Sequence, residues 1–444
     1  MTENGRNVLI WDKWELVQRL CRALDVADGA LDCLAKEGYS DPSDPRNDVC
    51  PEKVISETAF LLIAASTVSG CSDVTERIDR IARSLIPHAR SERMLLQTCL
   101  HPSLALDFAQ AHICLARLGY SDHKFDKLLR QSCQAQGALG RERSPHRVLE
   151  QEWIARCWTC SEEDSRKYSA RTPLKSVLNH PVDLFGGTRE DFYAFTHALM
   201  YLRDFNIHPV SLPRRRNELL AEADAMLARC LDEQDYDLGG ELLLAWPLTG
   251  KSWSPAASFS FRVLAKVEDT AGFLPASSTR LDHLQKLEGQ ARRRYLLATA
   301  YHTMYVMGLL CAVALQPGRK PPGIISGRGA RRGGSEAILQ VIDSIENNAH
   351  WRDEIETLSR EERDAVASLL LNIALIRAMK KRQFTAVQDL LGIADAQGLC
   401  DNPCSSQAAE ALERLSVFAR ITGKNKTEDS KQIEDETVLA QACP

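Results

Sequence analysis

The chain has 444 residues, enough for two or three domains or one large helical domain with appendages. Its apolar fraction of 44% and charged fraction of 26% are ordinary for a globular protein. A net charge of −5 argues against general nucleic-acid binding, which needs a basic field over much of the surface.

The start, MTENGRNVLIWDKWELVQ, has no basic segment followed by an apolar stretch, and the cysteines from Cys21 to Cys443 follow no repeating framework. Both features lead to the expectation of a reducing, cytoplasmic protein. Helical periodicity then dominates. Trp14 to Leu34, Val54 to Val68, Ser91 to Leu118, Arg147 to Cys157 and Arg215 to Leu231 carry apolar residues three and four apart. Breaks fall at SDPSDPRND, LGYSDH, GRERSPHR, NHPVDLFGGTRED and DTAGFLPASS, all turn chemistry. Alternating Val/Ile runs that would mark strands are missing, so the chain reads as all-α.

Three times an apolar helix leads through a short turn into an amphipathic one: after His112, after His197 and after Phe259 to Val267. Helical hairpins of that kind pack around a common centre, as an α/α toroid-like or a solenoid-like array. The apolar character of the central helices favours the toroid. Residues 1–315 are expected to form this helical core, with a possible cavity. Residues 316–336, rich in Gly, Pro and Arg, read as a linker. Residues 337–423 read as a smaller C-terminal helical bundle, and residues 424–444 as a disordered tail.

Histidines in apolar helices are the main chemical clue. Tyr193, His197 and Tyr201 lie four apart, and Tyr295, His302 and Tyr305 lie seven and three apart, so each trio forms one stripe of its helix. Buried imidazoles and phenols need hydrogen-bond partners, which a polar-lined cavity supplies. His112 has Phe108 and Leu115 on its face and reads as core. Convergence of His112, His197 and His302 on a zinc ion is an open alternative that no local spacing supports. Thr188 is expected to cap the His197 helix, with Glu190 and Asp191 in its first turn. Glu241, at the start of an apolar helix, is either an N-terminal acid or a cavity carboxylate. DEQDYD, just before it, lacks the aspartate-rich arrangements of terpene cyclases and reads as a solvated turn.

Cys157 and Cys160 have C-x-x-C spacing without a redox context. Tyr295 to Leu315 carries no formal charge and is long enough to cross a bilayer, but no second such segment exists. The central helix of a globular protein is therefore expected rather than a membrane span. The Gly318–Gly334 stretch lacks a phosphate-loop pattern, so no cofactor or metal is assigned.

PVDLFGGTREDFYAFTHALMYLRDFN, with ELLLAWP and AYHTMYVMGLL, resembles a bacterial all-helical family carried as a domain of unknown function, over most of Leu104 to Leu315. The resemblance implies a helical fold and a bacterial source, and no activity. The expected function is enclosure of a small, partly apolar molecule, as an enzyme of specialised metabolism using His197, Tyr193, Tyr201, Asp191, His302, Tyr305 and Glu241. A non-catalytic helical-repeat scaffold or regulator, binding a protein partner through the C-terminal bundle, is the alternative.

Overall fold

The computed structural model describes residues 11–34, 51–159, 173–327, 329–331, 333–343 and 350–422. These are all-helical, with no strand among them. The first seven helices are α1 (Lys13–Asp32), α2 (Pro51–Ala65), α3 (Ser72–Ala89), α4 (Glu92–Leu100), α5 (Ala105–Arg117), α6 (His123–Cys133) and α7 (Pro145–Thr159). Then come α8 (Arg189–Arg203), α9 (Arg216–Asp232), α10 (Tyr236–Leu243), α11 (Ala245–Thr249), α12 (Pro255–Ala271), α13 (Leu281–Leu284) and α14 (Gly289–Ala314). The C-terminal helices are α15 (Gly334–Asp343), α16 (Trp351–Thr357), α17 (Arg360–Ala365), α18 (Ala367–Lys380), α19 (Phe384–Gln397) and α20 (Pro403–Ile421).

Six helices follow one another in contact. In chain order α2 packs on α5, α5 on α7, α7 on α8, α8 on α10 and α10 on α14, and α14 packs back on α2. Outside them, α1 lies along α14, α3 against α1 and α2, and α9 and α12 against α10. Two glycines set the closest approaches. A Cβ at Gly308 of α14 would lie 2.6 Å from Ala23 Cβ and 2.9 Å from Leu61 Cδ1. One at Gly240 of α10 would lie 2.7 Å from Val306 Cγ1. A side chain at either position would force helices apart in a close-packed interior.

The apolar, uncharged stretch of α14 is explained by this position. It is long and apolar enough to cross a membrane, yet 78% of its apolar window is buried inside the fold. With neighbours on all sides a helix needs an apolar circumference.

Helix α8 has defined ends. The Thr188 hydroxyl accepts from Asp191 N, and the Asp191 carboxylate accepts from Thr188 N at 2.8 Å, a reciprocal capping box. At the other end Asp204, Phe205 and Asn206 all adopt left-handed φ values of 44°, 48° and 65°. Such residues cost ~1–2 kcal/mol each. The turn is held by buried Asp204, which accepts from Arg117 at 3.1 and 2.9 Å and from Trp153 Nε1 at 2.7 Å.

The C-terminal helices dock on the rest through α9, against which α18 and α20 pack. Arg377 of α18 donates to Asp232, which also accepts from Trp351 Nε1 at 3.3 Å. Gln407 of α20 donates to Val182 O at 2.7 Å and accepts from Leu184 N at 3.0 Å. Part of the stretch expected to be a linker, residues 316–336, makes backbone contacts to α17: Ala330 N donates to Asp364 O at 2.9 Å and Gly333 N to its carboxylate at 3.0 Å. The tail expected to be disordered lies outside the described residues, as does Cys160.

Candidate functional site

A cavity of about 590 Å³ opens between α2, α5, α7, α8, α10 and α14. Helical spacing turns several chemical side chains into it. Tyr193, His197 and Tyr201 line it from α8, Asp237 and Glu241 from α10, His302 and Tyr305 from α14, Glu57 from α2, and His146 and Glu150 from α7. A larger hollow of about 760 Å³ lies between α12, α13 and α16, with one imidazole, His350, on its wall.

The centre is an acid–imidazole cluster spanning four helices, α2, α8, α10 and α14. Glu241 is 3% exposed and stands between two histidines, its Oε2 3.4 Å from His197 Nε2 and its Oε1 3.8 Å from His302 Nε2. His302 Nδ1 pairs with Glu57 Oε2 at 3.0 Å, and His302 Nε2 lies 3.6 Å from Asp237 Oδ1. The close approach of α10 to α14 that Gly240 permits carries Glu241 to His302. Thr196 donates to Glu241, fixing the carboxylate from its own side. His197 Nδ1 is buried and has no hydrogen-bond partner.

Each tyrosine places its polar end on a partner. Tyr193 donates to Asp237 at 2.6 Å, Tyr201 donates to Glu150 at 2.7 Å, and the hydroxyls of Tyr305 and Thr58 are 2.8 Å apart. Arg147 completes the Glu150 pair at 2.6 Å, and Arg189 lies over the Tyr193 ring while binding Asp235 at 2.6 and 2.9 Å.

The surroundings split the titrations. For both His197 and His302 burial opposes the charged form, but carboxylates outweigh it and raise both pKa values, His302 well above the ordinary one. For His197 the opposing charge is Glu241; for His302 it is chiefly Glu57 and Asp237. Glu241 and Glu57 respond in kind: burial pushes them up, yet the facing imidazoles hold both below the usual carboxylate range. Asp237 goes up, through burial and the neighbouring Glu241 charge. Burial and adjacent acids raise the Tyr193 and Tyr201 phenols, which stay neutral donors. His146 is lowered by burial and by the nearby His197 and Arg147 charges.

Of the residues singled out by sequence, Tyr193, His197, Tyr201, Glu241, His302 and Tyr305 share this cavity. Asp191 does not line it, because its carboxylate is spent on the α8 cap. Tyr295 lies on the half-buried N-terminal part of α14 and accepts from Arg280 N at 2.9 Å. His112 lies elsewhere: it stacks on Phe125 at 4.2 Å, accepts from Arg90 at 3.2 Å and pairs with Asp126 at 3.1 Å. That removes the three-histidine convergence, and among the described residues no set of three or more His, Cys, Asp or Glu is placed to hold a metal ion. DEQDYD is a turn at Glu233 and Gln234, but its aspartates are not left to solvent. Asp232 pairs with Arg377, Asp235 caps α10 and binds Arg189, and Asp237 is buried on the cavity wall.

Sequence reasoning missed Glu57, His146, Glu150 and Asp237. Glu57 leaves a local trace: Lys53, Ser56 and Glu57 share one polar stripe at helical spacing beside the apolar AFLLIAA, a pattern that a solvated helix face also has. For Glu150 and His146 no comparable signal is present.

A family model described as a domain of unknown function (DUF6895) matches residues 20–312. No curated protein and no solved structure matches the chain.

Proposed function

Because the chain belongs to the DUF6895 family, whose description assigns no activity, we propose from the cavity alone that it encloses a small, partly apolar molecule and moves protons on it. One observation carries this reading: imidazoles from two separate helices meet one buried carboxylate, Glu241, on the wall of a 590 Å³ cavity. A cavity of that size suits a small organic ligand. The order of packing around it, from α2 through α14 and back, supports an α/α toroid-like array of six inner helices.

In this reading His197 is the proton-transfer group. Glu241 orients it and stabilises its charged form, as a carboxylate does behind a catalytic imidazole. His302, held by Glu57, remains a fixed positive charge that stabilises negative charge developing on the ligand. Tyr193 and Tyr201 keep their protons on Asp237 and Glu150, so they present aromatic edges and oxygen lone pairs to the ligand.

Native mass spectrometry of protein purified from its own host tests the reading. The wild type is expected to retain a noncovalent small molecule, and His197→Ala and His302→Ala variants of unchanged melting temperature to lose it. Equal retention by the variants, or none by the wild type, overturns it.

A second reading, a regulator that engages a protein partner, is favoured by Val417, Phe418 and Ile421, all exposed on α20. It predicts that charged substitutions there, rather than in the cavity, abolish function in the host.

A further inference from the structure

Beyond His197, one more imidazole lines the cavity with a free edge. His146 sits in the first turn of α7, half-buried, and its ring centroid is 6.1 Å from that of His197 at an interplanar angle of 63°. Its Nδ1 is 3.3 Å from the Ser144 hydroxyl, which fixes the ring and leaves Nε2 as the nitrogen that a ligand meets. His197, by contrast, turns Nε2 to Glu241.

We propose that His146 and His197 form an acid–base pair, with His146 as the base that takes a proton from the enclosed molecule and His197 as the acid that returns one to it. The proposal rests on the reading of the cavity as a ligand site and adds the reaction class. Ring centroids 6.1 Å apart let one small bound molecule meet both imidazoles with neighbouring atoms of the same group. The chemistry that fits is a tautomerisation beside a carbonyl group. His146 Nε2 takes the proton of a C–H bond beside the carbonyl, the electron pair of that bond becomes the new C=C π bond, the C=O π pair moves onto the oxygen, and that oxygen receives a proton from the His197 imidazolium. His146 leaves protonated and His197 neutral, and the reverse step on the other side of the molecule restores both. No oxidant, reductant or second substrate enters.

The environments of the two rings match these roles. The groups facing His146 are Arg147 and Glu150 on its own helix, His197 and Glu190 on α8, and burial combined with the two cations favours its neutral form. His197 faces Glu241 from α10 and Glu150 and Arg147 from α7, and the acids favour its charged form. Groups in one site whose protonation is pushed in opposite directions are the usual mark of an acid and its base. His302 is excluded as the second partner, since Glu57, Asp237 and Glu241 surround it and hold its proton.

The test works without a named substrate. The full-length protein is incubated with a small-molecule extract of its host in deuterated water, and the extract is scanned for a metabolite that gains one mass unit per exchanged hydrogen. The wild type is expected to label one carbonyl compound, and His146→Gln and His197→Gln each to lose at least a hundredfold in labelling rate. Imidazole nitrogen shifts of the same proteins give an activity-independent readout: across a pH titration His197 holds its proton to higher pH than His146, and His197→Gln raises the proton affinity of His146. Labelling that survives His146→Gln but not His197→Gln overturns the pairing and leaves the proposed function standing. No labelling by the wild type, or two histidines that lose their protons at the same pH, overturns the pairing too. Loss of the retained ligand's dependence on the cavity, by native mass spectrometry, is what removes the underlying reading.

Discussion

Replacing Glu241 by glutamine keeps the shape of the side chain and removes the charge that faces both imidazoles. For His197 that carboxylate, 3.4 Å away, is the main group that favours the charged ring, and burial works against it. A hydrogen bond to a charged group is worth ~1.5–3 kcal/mol, which corresponds to roughly ten- to hundredfold in the protonation equilibrium. Losing it hands control to burial, so His197 is expected to pass from above its ordinary pKa to below it. His302 keeps Glu57 at 3.0 Å and Asp237 at 3.6 Å and is expected to stay raised. Breaking one partner of a buried pair also costs ~3–5 kcal/mol of stability. Carbon–proton spectra of the histidine rings across a pH titration measure both pKa values in the variant, and urea unfolding measures the stability. A His197 titration unchanged by Glu241→Gln, or a fall shared equally by His302, refutes the account of how this cluster works.

Other perturbations probe the packing, the docking of the C-terminal helices and the titrating groups separately. Tyr193→Phe and Tyr201→Phe each strip a buried carboxylate of its phenol donor, and urea midpoints are expected to fall by the equivalent of ~1–3 kcal/mol. Gly240→Ala drives a methyl group into Val306 and pushes α10 off α14; calorimetry is expected to show a loss of ~1–3 kcal/mol, and His302 to sense Glu241 less. Arg377→Ala leaves Asp232 without its guanidinium, so Trp351 fluorescence is expected to report loosening of the C-terminal helices before global unfolding. Stability should also depend on pH on both sides. Glu57 and Glu241 are lowered in the fold, so their contribution is present above ~4.3 and lost as pH falls through the folded values. His197 and His302 are raised, so theirs is complete below ~6.5 and lost as pH rises through the folded values. An alkaline loss that persists undiminished in a His197→Gln, His302→Gln double variant contradicts this assignment.

Local pattern carries the helices and half of the site. Residues four apart on one helix must share a face, so Tyr193, His197 and Tyr201 are visible as a unit, and the apolar face around them implies burial. The capping role of Asp191 is visible for the same local reason, since Thr188 lies three residues before it. What joins helices is not visible. Glu57 meets His302 across a sequence separation of 245 residues, and its own context, four residues after Lys53, reads as an ordinary surface pair. Asp237 is hidden among acids that a solvated turn would also explain; only the docking of α18 on α9 gives Asp232 a cation, and only the packing of α10 on α8 and α14 turns Asp237 inward to Tyr193 and His302. His112 shows the limit from the other direction. Phe108 and Leu115 on its face already mark it as core, but the partners that satisfy it there, Arg90 and Asp126, lie on other helices or turns and are not legible locally.

His112 supplies an internal control for the central claim. With histidine carbons labelled, the purified protein is titrated with the small-molecule extract of its host while the ring resonances are followed. The account predicts that His197 and His302 shift together and saturate with the same curve, while His112, closed off against Phe125, stays still. Rings 197 and 302 that ignore every fraction, or that move independently of one another, contradict a shared ligand-holding cavity.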